Sequence, residues 1–175
     1  MKKYICAFLL GFCVFGICNA QDQNNVLQEQ ENSWKGIVRF NPADIFINIH
    51  NALPGLYVTW IPHYFLPNLG IPVELGVNFG WGVLPGVEIS LLSGVEYIPF
   101  GPAGKDKNGL FLDTKIGLSL FFNEGAKAFF IAKANVGYQL ITKKGFVLTP
   151  GAGVVYNGRS GFGLNVMLDL GFAYK

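Results

Sequence analysis

From Trp34 onward, apolar and polar positions alternate with a period of two along most of the chain. In the last run, Phe162, Leu164, Val166, Leu168, Leu170, Phe172 and Tyr174 occupy one set of alternate positions, and Gly163, Asn165, Met167, Asp169, Gly171 and Ala173 occupy the other. Successive side chains of a strand point to opposite faces, so this is a β-strand with one unbroken apolar face and one small or polar face. The same reading finds eight runs, separated by turn-forming stretches such as NALPG, PNLG, GPAGKDKNG, NEGAK, TKKG and NGRSG. Strands are predicted at 36–50, 55–65, 71–82, 86–98, 110–122, 127–141, 145–157 and 161–174. Most are longer than the five or six residues usual in soluble sheets, and they suit the roughly 9–11 residues with which a tilted strand crosses a bilayer.

The charges keep to one face. In the third run Val73, Leu75, Val77, Phe79 and Trp81 oppose Glu74, Gly76, Asn78, Gly80 and Gly82. In the fifth, Leu110, Leu112, Ile116, Leu118 and Leu120 oppose Asp113, Lys115, Gly117 and Ser119, with Thr114 the one polar residue on the apolar side. In the sixth, Ala128, Phe130, Ala132, Ala134, Val136, Tyr138 and Leu140 oppose Lys127, Phe129, Ile131, Lys133, Asn135, Gly137 and Gln139. Alternation alone fits two architectures: a soluble lipocalin-like barrel with its apolar face inward, and a transmembrane barrel with its apolar face toward lipid. The polar face separates them. A soluble surface carries about 25–35% ionisable residues, whereas this face is mostly Gly, Ser, Asn and Thr with isolated Glu74, Glu88, Glu96, Asp113, Lys115, Lys133 and Asp169. Small residues with a few charges suit the narrow, side-chain-filled interior of an eight-stranded barrel. The predicted fold class is all-β, an eight-stranded antiparallel up-and-down transmembrane β-barrel over 34–175.

Composition supports this. Of the residues, 51% are hydrophobic and 14% charged, against about 25% charged in soluble domains. The 23 glycines and 9 prolines are spread through the chain and disfavour helices. Residues 45–73 lack Asp, Glu, Lys and Arg, yet Pro54, Pro62, Pro67 and Pro72 preclude a spanning helix there.

The N-terminus reads as an export signal over 1–20: Lys2 and Lys3 precede an apolar run that ends in CNA, with cleavage before Gln21. A lipoprotein signal on Cys18 is the alternative, disfavoured because Ile17 is not small. Residues 21–33, rich in Gln, Asn and Glu, are predicted to be a flexible periplasmic linker. Cys6, Cys13 and Cys18 all lie in the signal, so disulfides and thiolate metal sites are excluded from the mature chain. A net charge of +2 without a basic run longer than Lys143-Lys144 points away from nucleic acid.

The stretch KANVGYQLITKKGFVLTPGAGVVYNG at 133–158 pairs a Gly-aromatic strand with a tight basic turn and a second strand through Thr-Pro-Gly, and the last strand ends in LDLGFAYK. In these features the chain resembles the small outer-membrane β-barrel superfamily, typified by the eight-stranded OmpA-type and OmpX-type barrels of bacteria with two membranes. The resemblance implies a monomer in the cell outer membrane. Its implied partners are outer-membrane lipid, periplasmic chaperones and the barrel-insertion machinery, which would read Leu168, Leu170, Phe172 and Tyr174 as a C-terminal insertion signal. The sequence departs from the family's pattern at three points. Lys175 follows the terminal aromatic, Pro42 falls inside the first strand, and Pro150 falls inside the seventh. Bulges are predicted at both prolines, or a start of the first strand near Asp44. With the N-terminus periplasmic, the external loops near 51–54, 83–85, 123–126 and 158–160 are short, and the longest connection, 100–109, faces the periplasm.

Candidate chemistry lies in the lumen. Glu74, Glu88, Glu96, Asp113 and Asp169 are expected to form ion pairs with Lys115 and Lys133, joined by Arg39 and His50, that bridge opposite walls. They read as a structural plug, with a narrow pore for ions or small solutes as the functional alternative. An outer-membrane lipid hydrolase would need His50 or His63 beside one of Ser90, Ser93, Ser119 or Ser160 and an acid, and no GxSxG elbow occurs. GAG at 151–153 lacks the third glycine of a dinucleotide loop. No enzyme, cofactor or metal site is predicted. Trp34, Tyr64, Phe65, Trp81, Tyr97, Phe122, Tyr156, Phe162 and Tyr174 fall near strand ends, where interfacial aromatic girdles are expected.

Overall fold

Long extended runs leave their backbone donors and acceptors to be satisfied between strands. In the computed structural model, which describes residues 34–48, 52–66, 68–80, 85–99 and 107–175 (side chains at 42–48 and 52–54 excepted), those bonds close into a ring. The strands are β1 (Gly36–Asn48), β2 (Ala52–Ile61), β3 (Tyr64–Leu66), β4 (Leu69–Gly70), β5 (Val73–Gly80), β6 (Gly86–Tyr97), β7 (Gly109–Phe122), β8 (Ala126–Ile141), β9 (Phe146–Asn157) and β10 (Gly161–Tyr174). Eight of them pair in the order β6-β5-β2-β1-β10-β9-β8-β7, all antiparallel, and the β6–β7 ladder closes the barrel. The seam joins first to last strand, with Gly36 opposite Tyr174 and Asn48 opposite Gly163.

Both ends of the ring follow from this up-and-down order. The terminal rim carries the starts of β1, β5, β7 and β9, the ends of β2, β6, β8 and β10, and the turn at 142–145. The opposite rim carries the other strand ends and the short turns at 123–125 and 158–160. Gly145 and Gly161 take positive φ (+87° and +82°) at two of these turns, one on each rim, a conformation glycine adopts without strain.

Several sequence expectations need correction. The run predicted at 55–65 stops at Ile61, because Pro62 offers no N–H to the ladder. Beyond it, β3 and β4 form a small hairpin, and β4 pairs with β6 through Leu69–Tyr97 and Gly70–Glu96. The third barrel strand accordingly begins at Val73 rather than 71. The first strand starts at Gly36 and not near Asp44. It does carry the expected irregularity at Pro42: its register shifts between Phe40 and Ile45 against β10, and between Asn41 and Asp44 against β2. At Pro150 there is no bulge. Pairing to β10 runs on through Leu168–Pro150, and the β8 register is the same at Gly137–Gly151 as at Leu140–Leu148. The missing N–H interrupts the β8 ladder between those pairs and inserts no residue. The predicted signal (1–20), the linker (21–33), His50 and Trp81 lie outside the described residues.

Alternation places the faces as the sequence pattern requires. Outward residues are large and apolar over the whole circumference, among them Val38, Phe40, Trp60, Leu75, Leu91, Ile116, Leu118, Phe130, Val154, Leu164, Leu168 and Phe172, all exposed. The inward residues are buried, and most are polar or small. The tight curvature of so small a ring selects glycine at several of them. A Cβ on Gly94, Gly117, Gly153 or Gly171 would lie 1.7–2.2 Å from a carbonyl oxygen of the neighbouring strand.

Candidate functional site

The interior is layered, and the terminal rim is closed by hydrocarbon. Ile37, Ile61, Tyr64, Ile98, Phe111, Ile141, Val147, Met167 and Ala173 form one buried cluster there, with Trp34 packed against it. Short-side-chain positions make room for its larger members. A Cβ at Gly137 would sit 2.4 Å from the Phe111 ring. The connection into β7 is tied down by Asn108, whose side-chain amide hydrogen-bonds both the N–H and the carbonyl of Ile141, and by Lys107, whose carbonyl accepts from Gln139 Nε2 at 2.8 Å. The Lys107 ammonium lies 4.7 Å from the Tyr64 ring centroid, and burial pushes its pKa down to about 8.

Arg39, fully buried, stands just inside this layer. Its guanidinium pairs with Glu96 on β6, donates to Gln139 Oε1 on β8 at 3.2 Å, and lies 3.5 Å from Asp169 on β10. In the ring, β6 and β8 each lie three places from β1, in opposite directions, so one side chain ties opposite walls. Tyr64 on β3 donates to the other oxygen of Glu96 at 3.0 Å, which anchors the short hairpin to the lumen.

The middle layer is built on Glu74. Lys115 lies 2.6 Å from Glu74 Oε2 and 2.7 Å from Asp113, and Lys133 lies 2.9 Å from Glu74 Oε1. Thr59 donates to Glu74 at 3.2 Å, Asn135 to Asp113 at 2.7 Å, and Asn165 to Asn135 at 2.9 Å. The Lys133 ammonium also sits 3.5 Å above the Tyr57 ring, whose hydroxyl donates to Asn78 at 2.6 Å. A third layer lies toward the short-loop rim. There Arg159 pairs with Glu88 at 3.2 Å and stacks 3.8 Å from the Phe121 ring, while Asn157 donates to Glu88 at 2.7 Å.

All seven lumen residues singled out in the sequence (Glu74, Glu88, Glu96, Asp113, Lys115, Lys133 and Asp169) are thus buried, in three groups rather than one. Among the described residues the interior cations are Arg39, Lys107, Lys115, Lys133 and Arg159, and the anions are Glu74, Glu88, Glu96, Asp113 and Asp169. Five face five, so the charges of the described interior balance formally. Sequence reasoning missed Arg159, which sits in a turn rather than a run, Tyr57, whose inward parity relative to Trp60 was the available signal, and Tyr64, which shares the parity of the outward Trp60 and turns inward only because the strand breaks at Pro62; Gln139 was placed on the inward face but not singled out. Leu168, Leu170, Phe172 and Tyr174 all point outward and are exposed on β10.

Among the described residues, His63 is not brought together with a candidate serine. His63 is exposed and packs edge-on against Phe65 with centroids 5.6 Å apart, while Ser90 and Ser119 are buried in the lumen. Ser93 donates to the Pro72 carbonyl. Among the described residues, no group of three or more His, Cys, Asp or Glu could hold a metal ion.

Two members of the predicted girdles are displaced: Tyr64 turns into the lumen, and Trp34 packs half-buried on the inner cluster. Exterior aromatics nevertheless gather near both rims. Phe130, Tyr156 and Phe162 stack at the short-loop side. Trp60, Phe146, Phe172 and Tyr174 lie at the terminal side, where the Tyr174 hydroxyl accepts from Trp60 Nε1 and donates to the Pro62 carbonyl, both at 3.0 Å. Along β10 the ten steps from Phe162 to Phe172, at about 3.3 Å per residue and a tilt of roughly 40°, span about 25 Å, the height of an outer-membrane apolar band.

Among solved structures, the chain is similar to that of Ail, the attachment invasion locus protein of Yersinia pestis, crystallised in complex with the heparin analogue sucrose octasulfate. The match has a TM-score of 0.52 at 11% sequence identity and covers 81% of this chain and 99% of that one. The shared fold is a closed eight-stranded antiparallel β-barrel. No protein-family model matches the chain, and no curated protein does.

Proposed function

We propose that this chain is an integral outer-membrane barrel of a bacterium with two membranes, non-enzymatic and monomeric, with a structural or surface role and a lumen plugged by its own side chains. One observation carries the reading: the molecule is inside out, with a largely apolar exterior belt about 25 Å tall around an interior of paired charges. In water that exterior would be a very large exposed apolar patch. In lipid it is the surface that minimises free energy, and closure leaves no unpaired strand edge. Export by the predicted signal at 1–20 and insertion guided by Leu168, Leu170, Phe172 and Tyr174 belong to the same reading, with periplasmic chaperones and the barrel-insertion machinery as partners.

The paired lumen favours a plug over a conduit, because eight strands leave an interior that side chains fill. A second reading, a narrow hydrated pore, has one observation in its favour: the buried hydroxyls of Ser90, Ser119 and Thr149 have no hydrogen-bond partner among the described residues. The short-loop rim offers little to a polysulfated ligand like the one bound to Ail, since among the described residues Lys127 is its exposed cation and Arg159 is held by Glu88.

Envelope fractionation of cells expressing the full chain tests the proposal. The protein is expected in the outer-membrane fraction and to resist alkaline extraction. Recovery in the soluble periplasmic fraction would reverse the reading and turn attention to a soluble ligand carrier.

A further inference from the structure

Exposed charge is unequal at the two rims. Lys35, Lys143, Lys144 and Lys175 are exposed at the terminal rim, where the described residues include no exposed Asp or Glu, whereas Glu124 and Lys127 are both exposed at the opposite rim. The four lysines share one arc. Lys35 N–H donates to the Tyr174 carbonyl at 2.8 Å, which ties the start of β1 to the end of β10. Ala173 N–H donates to the Gly145 carbonyl at 2.7 Å, which brings in the turn holding Lys143 and Lys144. Trp34 lies between them: a Cβ on Gly145 would be 3.2 Å from its ring, and the Lys175 ammonium is 5.5 Å from it. The arc borders the apolar exterior through Phe146, Phe172 and Tyr174.

No exposed Asp or Glu among the described residues faces these four ammonium groups, so counter-charge from outside lowers their mutual repulsion, and the position of the arc says from where. It sits at the edge of the apolar belt, at headgroup depth, beside the exterior Tyr174, a residue type that favours that depth. We propose that this arc binds the phosphate groups of anionic phospholipids in the leaflet that meets the terminal rim. Lys35, Lys143, Lys144 and Lys175 supply the charge, and Tyr174 at the edge of the belt supplies the interfacial contact. Lysine stems reach along apolar surface with their ammonium groups in the polar layer, so no rearrangement of the barrel is needed.

The inference rests on the membrane reading above, and one experiment separates the two. The full chain is folded into phosphatidylcholine vesicles, with insertion scored by its electrophoretic shift on boiling. Electron-spin resonance of spin-labelled phosphatidylglycerol and phosphatidylcholine then gives their relative association with the same sample. At low salt the anionic lipid is expected to be favoured by at least about fivefold, which corresponds to about 1 kcal/mol for a basic residue near an anionic surface. The preference should fall toward unity when all four lysines are changed to Gln, persist when they are changed to Arg, and weaken with salt. An inserted barrel with no preference, or a Gln variant that keeps it, overturns the proposal. A chain that fails to insert overturns the membrane reading and this proposal with it.

Discussion

The Lys133 ammonium on β8 lies 2.9 Å from the Glu74 carboxylate on β5, although β6 and β7 separate their strands in the ring. The contact therefore crosses the lumen. Glu74 holds Lys115 as well, so a single carboxylate bridges two buried ammonium groups from two other strands, with Asp113 supplying the second negative charge. Such a network is not a large net source of stability, because desolvation offsets the Coulomb gain, but breaking it strands a buried charge. Glu74→Ala is expected to cost about 3–5 kcal/mol, read as the fall in denaturant midpoint of the barrel in detergent. A change under about 1 kcal/mol would mean that water reaches the network freely.

The exterior makes a depth-dependent prediction. Leu168→Arg, in the middle of the β10 belt, should cost about 2–4 kcal/mol in vesicles, and Phe162→Arg, near the rim, about 0–1. Reversible unfolding from lipid measures both. Equal costs at the two positions would count against a lipid-facing belt.

Packing of the lumen is tested at Gly76. A Cβ there would lie 2.2 Å from the Tyr57 ring, which cannot swing away because Asn78 holds its hydroxyl and Lys133 lies over its face. Gly76→Ala should destabilise by about 1–3 kcal/mol, and Tyr57→Leu should relieve part of that loss in the double variant. Additive effects in a double-mutant cycle would show that the two do not share the space.

Lys107 sets a pH dependence. Its pKa in the folded protein is lowered to about 8 from 10.5 by burial. Between those values the unfolded chain binds more protons than the folded one, so this group makes stability rise as pH climbs from about 8 to about 10.5. Midpoints measured across that range should increase, and Lys107→Met should flatten the rise. An unchanged slope in the variant would assign the dependence to other groups.

A filled lumen should not conduct. The wild-type barrel in planar bilayers is expected to show no resolvable steps, while Arg39→Ala, which unties β1 from β6 and β8, should introduce a measurable leak. Steady conductance from the wild type would favour the pore reading over the plug.

The strands were legible where alternation was uninterrupted. β10 was predicted at 161–174 and found at Gly161–Tyr174, and β7, β8 and β9 each differ from prediction by one residue at one end. Their outward faces are continuous, and the period of two has a single reading. The 55–65 run failed because its apolar character continues through Pro62, and hydropathy does not record which N–H a ladder needs. Pro42 and Pro150 look alike in sequence yet behave differently, since only the first shifts the register of its neighbours. In the lumen, parity identified which charges face inward, but their sorting into three groups depends on strand tilt and on closure of β1 against β10, which no local pattern contains. Arg159 was invisible because a turn has no parity.

The most direct test of the central claim, a closed barrel with its apolar face in lipid, is electrophoresis of the membrane fraction with and without boiling. Closed transmembrane barrels commonly stay folded in detergent until heated, so the unboiled protein is expected to migrate differently from the boiled chain, with all of it recovered from the outer-membrane fraction. A single mobility in both samples, with the protein in the soluble fraction, would contradict the account.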